Sequence, residues 1–395
     1  MAGTLLYNVT KLNKFTSDFS GLSDFASEII IFVNHGLLCF FIGLFGIVTN
    51  FFNVWVFIKQ GLNTSINISL FSIAVFDLIK IVTMQSVNLF SNPLVLHLSD
   101  STISLDAFFL VGGWPAACAH RISMYITWYI TAERCLCISV PLKVKNWVTP
   151  QLTVIVLLFI IVSNIVTLIP EYLSMYIDWV FVENLNRTVL GLAFNSNRPT
   201  MQGLSAMCHL AFLVVGIIFV ISLTITLVLL LRQKSNWRNR NTTTNDKQKQ
   251  FMSARDQKTC KLIILIATIL SICYLPMIIL NIVTVTVRDF NQDGKYSKLF
   301  STVWSFGHVF GISNSSANFF IYYSMSSNFR QKLRECLSTE KTKCVVKLLS
   351  HVSWLEQRYV MVGAKMAWLE QRCHGWSKDV AWLEQRCGMV GAKMS

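Results

Sequence analysis

Seven long apolar stretches, near residues 29–58, 66–89, 114–140, 151–172, 206–231, 259–286 and 299–323, constrain this chain more than any other feature. Crossing the hydrocarbon core of a bilayer takes about 20 helical residues. Inside lipid no water pairs with a bare peptide group, so each stretch must close its own backbone bonds as helix. The composition fits: 53% of residues are hydrophobic and 14% charged, against about 25% charged in soluble domains. The expected fold is an all-α membrane protein, a seven-transmembrane helix bundle over 29–325. An extracellular N-terminus (1–28) precedes it; a short amphipathic membrane-surface helix (326–337) and a cytoplasmic tail (338–395) follow. The first span does not read as a signal peptide, since a mixed polar segment stands before it in place of a basic n-region.

The net charge of +14 raises nucleic-acid binding, but its distribution points to topology. Arg232, Lys234, Arg238, Arg240, Lys247, Lys249, Arg255, Lys258 and Lys261 sit between the fifth and sixth spans, against Asp246 and Asp256. Segment 91–113 has neither Lys nor Arg. The positive-inside rule then sets the N-terminus outside and the C-terminus in the cytoplasm of a plasma-membrane protein, with the basic excess facing anionic membrane lipids. Nucleic acid is not an expected partner. Sequons at Asn8 and Asn186 fall in segments expected to be extracellular and suit glycosylation. The cysteines lie mostly in spans or cytoplasmic segments and read as small packing residues, not as a disulfide scaffold.

Near the end of the third span stands Glu133-Arg134-Cys135, with Pro141-Leu142 shortly after. A charged pair at a membrane edge is expensive, so by default it marks a functional site. Further motifs fall on the other spans in order. They are Gly46-Ile47-Val48-Thr49-Asn50, then Asn67 with Ala74 and Asp77, Cys273-Tyr274-Leu275-Pro276, and Asn318-Phe319-Phe320-Ile321-Tyr322. Together they resemble the rhodopsin-like (class A) G-protein-coupled receptors over about residues 29–337. Arg134-Cys135-Leu136-Cys137-Ile138 and Asn314-Ser315-Ser316-Ala317-Asn318 look most like invertebrate, in particular molluscan, chemosensory or peptide receptors.

The resemblance implies an extracellular ligand, small chemical cue or peptide, and a heterotrimeric G-protein as partner. It implies a switch in which Arg134 pairs with Glu133 and with Asp256, and in which Tyr322 takes part. Pro276 removes one backbone bond and supplies a hinge, with Tyr274 as the ligand sensor where the family has Trp. Asn50, Asp77, Ser123, Asn314, Ser315 and Asn318 match a polar core that in the family surrounds a sodium ion. Lys80, one turn from Asp77, would instead form an ion pair and displace it. No other cofactor is expected.

Counting back from Arg134 at about 100° per residue turns Ala116 and His120 inward and Arg121 towards helices four and five. His120, Tyr274, Trp304 and His308, with Arg121 and His209 at the side, are the candidate ligand residues. Ala116 stands where amine receptors carry an Asp, and 299–323 has no Lys for a retinal Schiff base. The basic Lys80 and Arg121 lean towards an anionic ligand group. Segment 171–205 has no cysteine, so the family's disulfide to the second outer loop cannot form. The fifth span lacks Pro and Tyr, and Phe319 stands where the family has proline.

Phe329, Leu333 and Leu337 recur with basic residues between them, an amphipathic stripe for the inner leaflet, and Cys336 suits palmitoylation. Residues 354–395 comprise three units of 14, with Trp-Leu-Glu-Gln-Arg at Trp354, Trp368 and Trp382, expected to be poorly ordered. Two other readings stand beside the receptor: a non-signalling receptor-like protein, and a transporter. The transporter lacks internal inverted repeats and paired broken helices. No nucleophile–base spacing or metal-ligand motif points to an enzyme.

Overall fold

The computed structural model describes residues 24–90, 109–140, 143–144, 147–182, 187–240, 254–287, 289–291 and 294–338. Helix one runs through Asp24–Ile31, a π-helical stretch Phe32–Cys39 and Phe40–Gln60. Helix two is Ser65–Phe90. Helix three opens with a π turn, Phe109–Gly113, and continues as Trp114–Ser139. Helix four, Pro150–Val166, leads through a short helical segment, Ile169–Ser174, into strands β1 (Met175–Val182) and β2 (Arg187–Phe194). Helices five, six and seven are Arg198–Arg240, Ala254–Thr286 and Ser297–Met325, and helix eight is Ser327–Ser338. Met1–Leu333 form one compact unit and Arg334–Ser395 a second. Of the second, only the end of helix eight is described.

Among the described residues, five segments are long and apolar enough to cross a membrane: Phe25–Gln60, Ser65–Leu89, Pro150–Ser174, Thr200–Ser235 and Gln257–Thr286. Helices three and seven are long but more polar, and packing explains why. Helix three lies against helices two, four, five and six; helix seven lies against one, two and six. Helix three buries His120, Arg121, Ser123, Thr127, Thr131, Glu133 and Arg134. Protein, not lipid, is the solvent of these two helices, so they tolerate polar groups that find partners. The lipid-facing surface of the others stays apolar, as at Phe159, Phe41 and Ile279.

Local chemistry sets the helix ends. Thr149 accepts a bond from the Leu152 amide (3.1 Å) with Pro150 in the first turn, an N-cap followed by the residue that needs no amide partner. Gly61, at φ +85°, ends helix one. Between helices seven and eight, Arg330 Nη1 donates to the carbonyls of Tyr323 (2.7 Å) and Ser324 (2.9 Å). It thereby satisfies oxygens that the end of helix seven leaves open.

Helix six carries Pro276 in its interior, within the single span expected. Two expectations are adjusted. Helix five extends well past 206–231; its 43 residues reach about 64 Å at 1.5 Å per residue, roughly twice the hydrocarbon thickness. The buried face of helix eight is Phe329, Leu333 and Cys336, while Leu337 is 51% exposed. The stripe therefore follows a 3.6-residue period in place of a strict four-residue step. Asn8 and Asn186 and the repeats of the tail lie outside the described residues.

In place of a disulfide, a hairpin orders the segment between helices four and five. β1 and β2 pair antiparallel from Met175↔Phe194 to Val182↔Arg187. Its base is tied by Asn195 Nδ2 to the Leu173 carbonyl (2.8 Å), and Tyr172 Oη reaches the Leu110 carbonyl at the start of helix three (2.8 Å).

Helices one, two and seven meet closely at Gly46, where an added Cβ would stand 2.3 Å from Ser316 Oγ and 2.8 Å from Ile81 Cδ1. Ser316 Oγ is itself held to the Ile42 and Ile312 carbonyls, so it has little room to yield. Gly46→Ala is expected to lower stability by about 1–3 kcal/mol through overpacking. Gly203→Ala, with nothing within 4 Å, is expected to be neutral or to gain up to about 1 kcal/mol. Thermal melting of the two variants in nanodiscs checks the contrast.

Candidate functional site

Polar side chains gather inside the bundle at three levels along helix three. At the end that carries Arg134, Arg134 Nη2 meets Glu133 Oε1 at 2.5 Å. Both side chains are buried, and Glu133 Oε2 and Arg134 Nε have no partner. The pair is thus held by a single contact, with donor and acceptor capacity left over. Tyr322 is fully buried between Phe57 and Phe329, with ring centroids 5.2 and 5.7 Å away, and its hydroxyl is unpaired. Cys135 Sγ lies 3.6 Å from the Leu223 carbonyl of helix five. Asp256 falls in the first turn of helix six, but its side chain lies outside the described residues.

At the middle level Asp77 is the hub. Its Oδ1 accepts from Ser315 Oγ (2.9 Å) and Ser123 Oγ (3.3 Å), and its Oδ2 accepts from Asn318 Nδ2 (2.7 Å). Asn50 Nδ2 donates to the Ser315 carbonyl (2.9 Å) and to Gly46 O (3.0 Å), which brings helix one into the cluster. Five of the six residues expected in a polar core are therefore joined. Asn314 is buried on the same helix, outside the bonds that reach Asp77.

Lys80 does not pair directly with Asp77. Its Nζ donates to the Gly311 carbonyl (2.5 Å), to Ser315 Oγ (3.1 Å) and to His120 Nδ1. Ser315 stands between the two charges, accepting from the ammonium and donating to the carboxylate. All three ammonium protons are engaged. The expected direct ion pair is corrected to a hydroxyl-bridged one because the carbonyl of Gly311 and the ring of His120 draw the amine away.

At the third level His120 and Tyr274 stack face to face, 3.9 Å between centroids and 4° between planes. The Tyr274 hydroxyl donates to the His120 carbonyl. Tyr274 also sits in the apolar cluster of Met124, Leu213, Ile217, Leu270 and Ile278, so helices three, five and six pack around one ring. Arg121 points the other way, as its position on the helix implies. It donates through Nη1 to His209 Nδ1, and through Nη2 to Thr167 Oγ1 (2.5 Å) and the Asn164 carbonyl (3.4 Å). Beside helix seven, Trp304 and His308 lie in an edge-to-face contact (6.1 Å), and His308 meets His35 of helix one at 5.0 Å. His120 Nε2, Trp304 Nε1 and His308 Nδ1 are buried without a partner.

His35, Asn164 and Thr167 complete this level and were not singled out from sequence. His35 sits in the π-helical stretch, whose wider turn breaks the 100° periodicity used to place side chains. Asn164 and the C-cap residue Thr167 stand three positions apart at the end of helix four, a polar pair in an apolar span that was there to be read.

Seven long helices with a buried charged pair, a shared polar core and an order matching the span pattern define a multi-pass seven-transmembrane helix bundle. Residues 37–340 match the family model described as serpentine type 7TM GPCR chemoreceptor Srw, and the chain belongs to that family. It is a chemoreceptor family of G-protein-coupled type, not an enzyme family.

Ser315 is the test of the bridged core. Ser315→Ala removes one of the two bonds at Asp77 Oδ1 and one of Lys80's three acceptors. Stability is expected to fall by about 1–3 kcal/mol, the usual effect of leaving buried polar groups unpaired. Ser313→Ala, on the same helix outside the network, serves as the control in melting experiments.

Proposed function

We propose that this protein is a rhodopsin-like receptor of the invertebrate chemosensory or peptide kind. It takes an extracellular small molecule or peptide at the His120 level and activates a heterotrimeric G-protein at the Arg134 level. The N-terminus and the hairpin then face outside, and the basic segment between helices five and six faces the cytosol, in accord with the positive-inside rule.

The observation that carries this reading is the unfinished hydrogen bonding at both ends of helix three. A buried polar atom left unpaired costs about 1–3 kcal/mol, and His120 Nε2, Trp304 Nε1 and His308 Nδ1 are such atoms. A ligand bearing acceptors and donors recovers that loss and so has affinity for this level. At the other end Glu133 and Arg134 are held by one contact with spare capacity. A pair poised in this way suits a switch, since a partner that offers Arg134 better acceptors shifts the balance between two packings. His120 and Arg134 stand 14 positions apart on one rigid helix, about 21 Å. Asp77 and Lys80 tie that helix to helices two and seven. Sodium is not required in this scheme, because Lys80 already supplies a positive charge across Ser315 from Asp77.

The switch is tested with purified receptor in nanodiscs, a heterotrimeric G-protein and an agonist found by screening. Arg134→Ala is expected to reduce agonist-driven nucleotide exchange to background while ligand binding in the nanodiscs, and surface expression in cells, persist. Glu133→Gln, which removes the negative charge and so weakens the hold on Arg134, is expected to raise basal exchange several-fold. Unchanged exchange in both variants would sink the proposal.

A further inference from the structure

We infer that Arg121, with His209 beside it, is a carboxylate-binding site between helices three, four and five, and that the chemical cue this receptor recognises carries a single carboxylate there. The inference rests on the receptor reading above and specifies the ligand's chemical class.

Two basic side chains are buried at this level, and their surroundings differ. Lys80 has its three donors engaged, and its charge is answered by Asp77 across the Ser315 hydroxyl. Arg121 is 1% exposed and has no such answer. The groups around its guanidinium are the His209 ring, the Thr167 hydroxyl, the Asn164 carbonyl and the Cys118 thiol. None is a carboxylate, and no Asp or Glu among the described residues comes within 4 Å of it. Its Nε donor is buried and unpartnered. Guanidinium remains protonated at any physiological pH, so a full positive charge stands desolvated and uncompensated.

Burying an unpaired ion is among the most unfavourable arrangements a protein interior holds. A singly charged anion restores local neutrality. A planar carboxylate also matches the guanidinium in shape and accepts charge-assisted bonds from it. A dianion would replace one unit of imbalance by another. His209 accepts from Arg121 at Nδ1, which leaves its ring proton on Nε2 as a second donor type at the same place. Trp114 lies edge-on to that ring at 6.4 Å. It supplies an aromatic wall for the apolar part of the ligand, two turns from Arg121 towards the hairpin end. Lys80 is excluded from this role because it has no donor left to give.

The test measures binding without any G-protein, so its failure leaves the signalling proposal standing and the two are distinguished. Full-length receptor in neutral-lipid nanodiscs is melted with benzoate, butyrate and octanoate, each beside its neutral amide. A phenylalanine-ended tripeptide with free and with amidated C-terminus forms a further arm, and chloride and phosphate form the last. At about a hundred times Kd, acids are expected to raise the melting midpoint by roughly 5 °C and amides to leave it unchanged. A shift from the free acids alone marks a small organic acid as the source; a shift from the free-ended peptide alone marks a peptide C-terminus.

Arg121→Met is expected to abolish the shift yet melt, without ligand, within about 2 °C of the parent, because the lost charge had no counter-ion. Arg121→Lys, which keeps the charge and loses the planar fork, is expected to weaken binding at least tenfold and provides the readout if the Met variant does not fold. Equal shifts from acids and amides, shifts from chloride or phosphate alone, no shift from any probe, or a shift that survives in Arg121→Met would each overturn the inference. So would an unliganded Arg121→Met that folds but melts far below the parent, which would make Arg121 a structural strut.

Discussion

Everything in this bundle hangs on how the carboxylate of Asp77 is satisfied. In lipid a charge has no water to fall back on, and an unmet acceptor is expensive. Asp77 meets this by taking hydrogens from Ser123 on helix three and from Ser315 and Asn318 on helix seven, while Asn50 of helix one takes the Ser315 carbonyl. One side chain of helix two thereby fixes the relative height and rotation of helices three and seven, and helix one joins them through the Ser315 carbonyl. Apolar packing alone would not do this, because Leu and Ile contacts slide with little penalty while hydrogen bonds to a fixed oxygen do not.

Lys80 extends the same network by one more level. Its amine meets His120 on helix three, and the His120 ring stacks on Tyr274 of helix six. A continuous run of polar and aromatic contacts thus joins helix six to the carboxylate in the middle of the bundle. Whatever displaces the His120–Tyr274 stack must also disturb a charged network that resists partial rearrangement. Such a unit favours discrete packings over gradual deformation, which is the property a receptor switch needs.

Much of this was legible in the sequence, and the limits have physical causes. Five of the helices are legible from apolar length alone, since a span must satisfy its own backbone; helices three and seven are more polar, and their motifs mark them where hydropathy is weaker. The positions of Asp77, Ser123, Ser315 and Asn318 followed from motif order, and the direction of Arg121 from helical rotation. What escaped was partner choice over short distances. Whether Lys80 bonds Asp77, His120 or a carbonyl depends on ångström-scale placement that residue spacing does not encode. His35 was hidden because a π-helical stretch shifts the angular count. The exposure of Leu337 and burial of Cys336 turned on a few degrees of helix rotation, which a four-residue stripe does not resolve. The switch role proposed for the Arg134 pair rests on motif resemblance, since no composition argument distinguishes a switch from a static ion pair.

The hairpin between helices four and five carries a consequence for where and how this protein matures. The hairpin is held by backbone hydrogen bonds along β1 and β2, and the segment before it by the Tyr172 tether, in a stretch without a cysteine. No oxidising step is needed to assemble it, so thiol reductants and oxidoreductase supply should leave its formation untouched. A cross-linked hairpin is either intact or broken, whereas one held by strand pairs alone loosens by degrees, as a property set by temperature and by the strength of individual pairs.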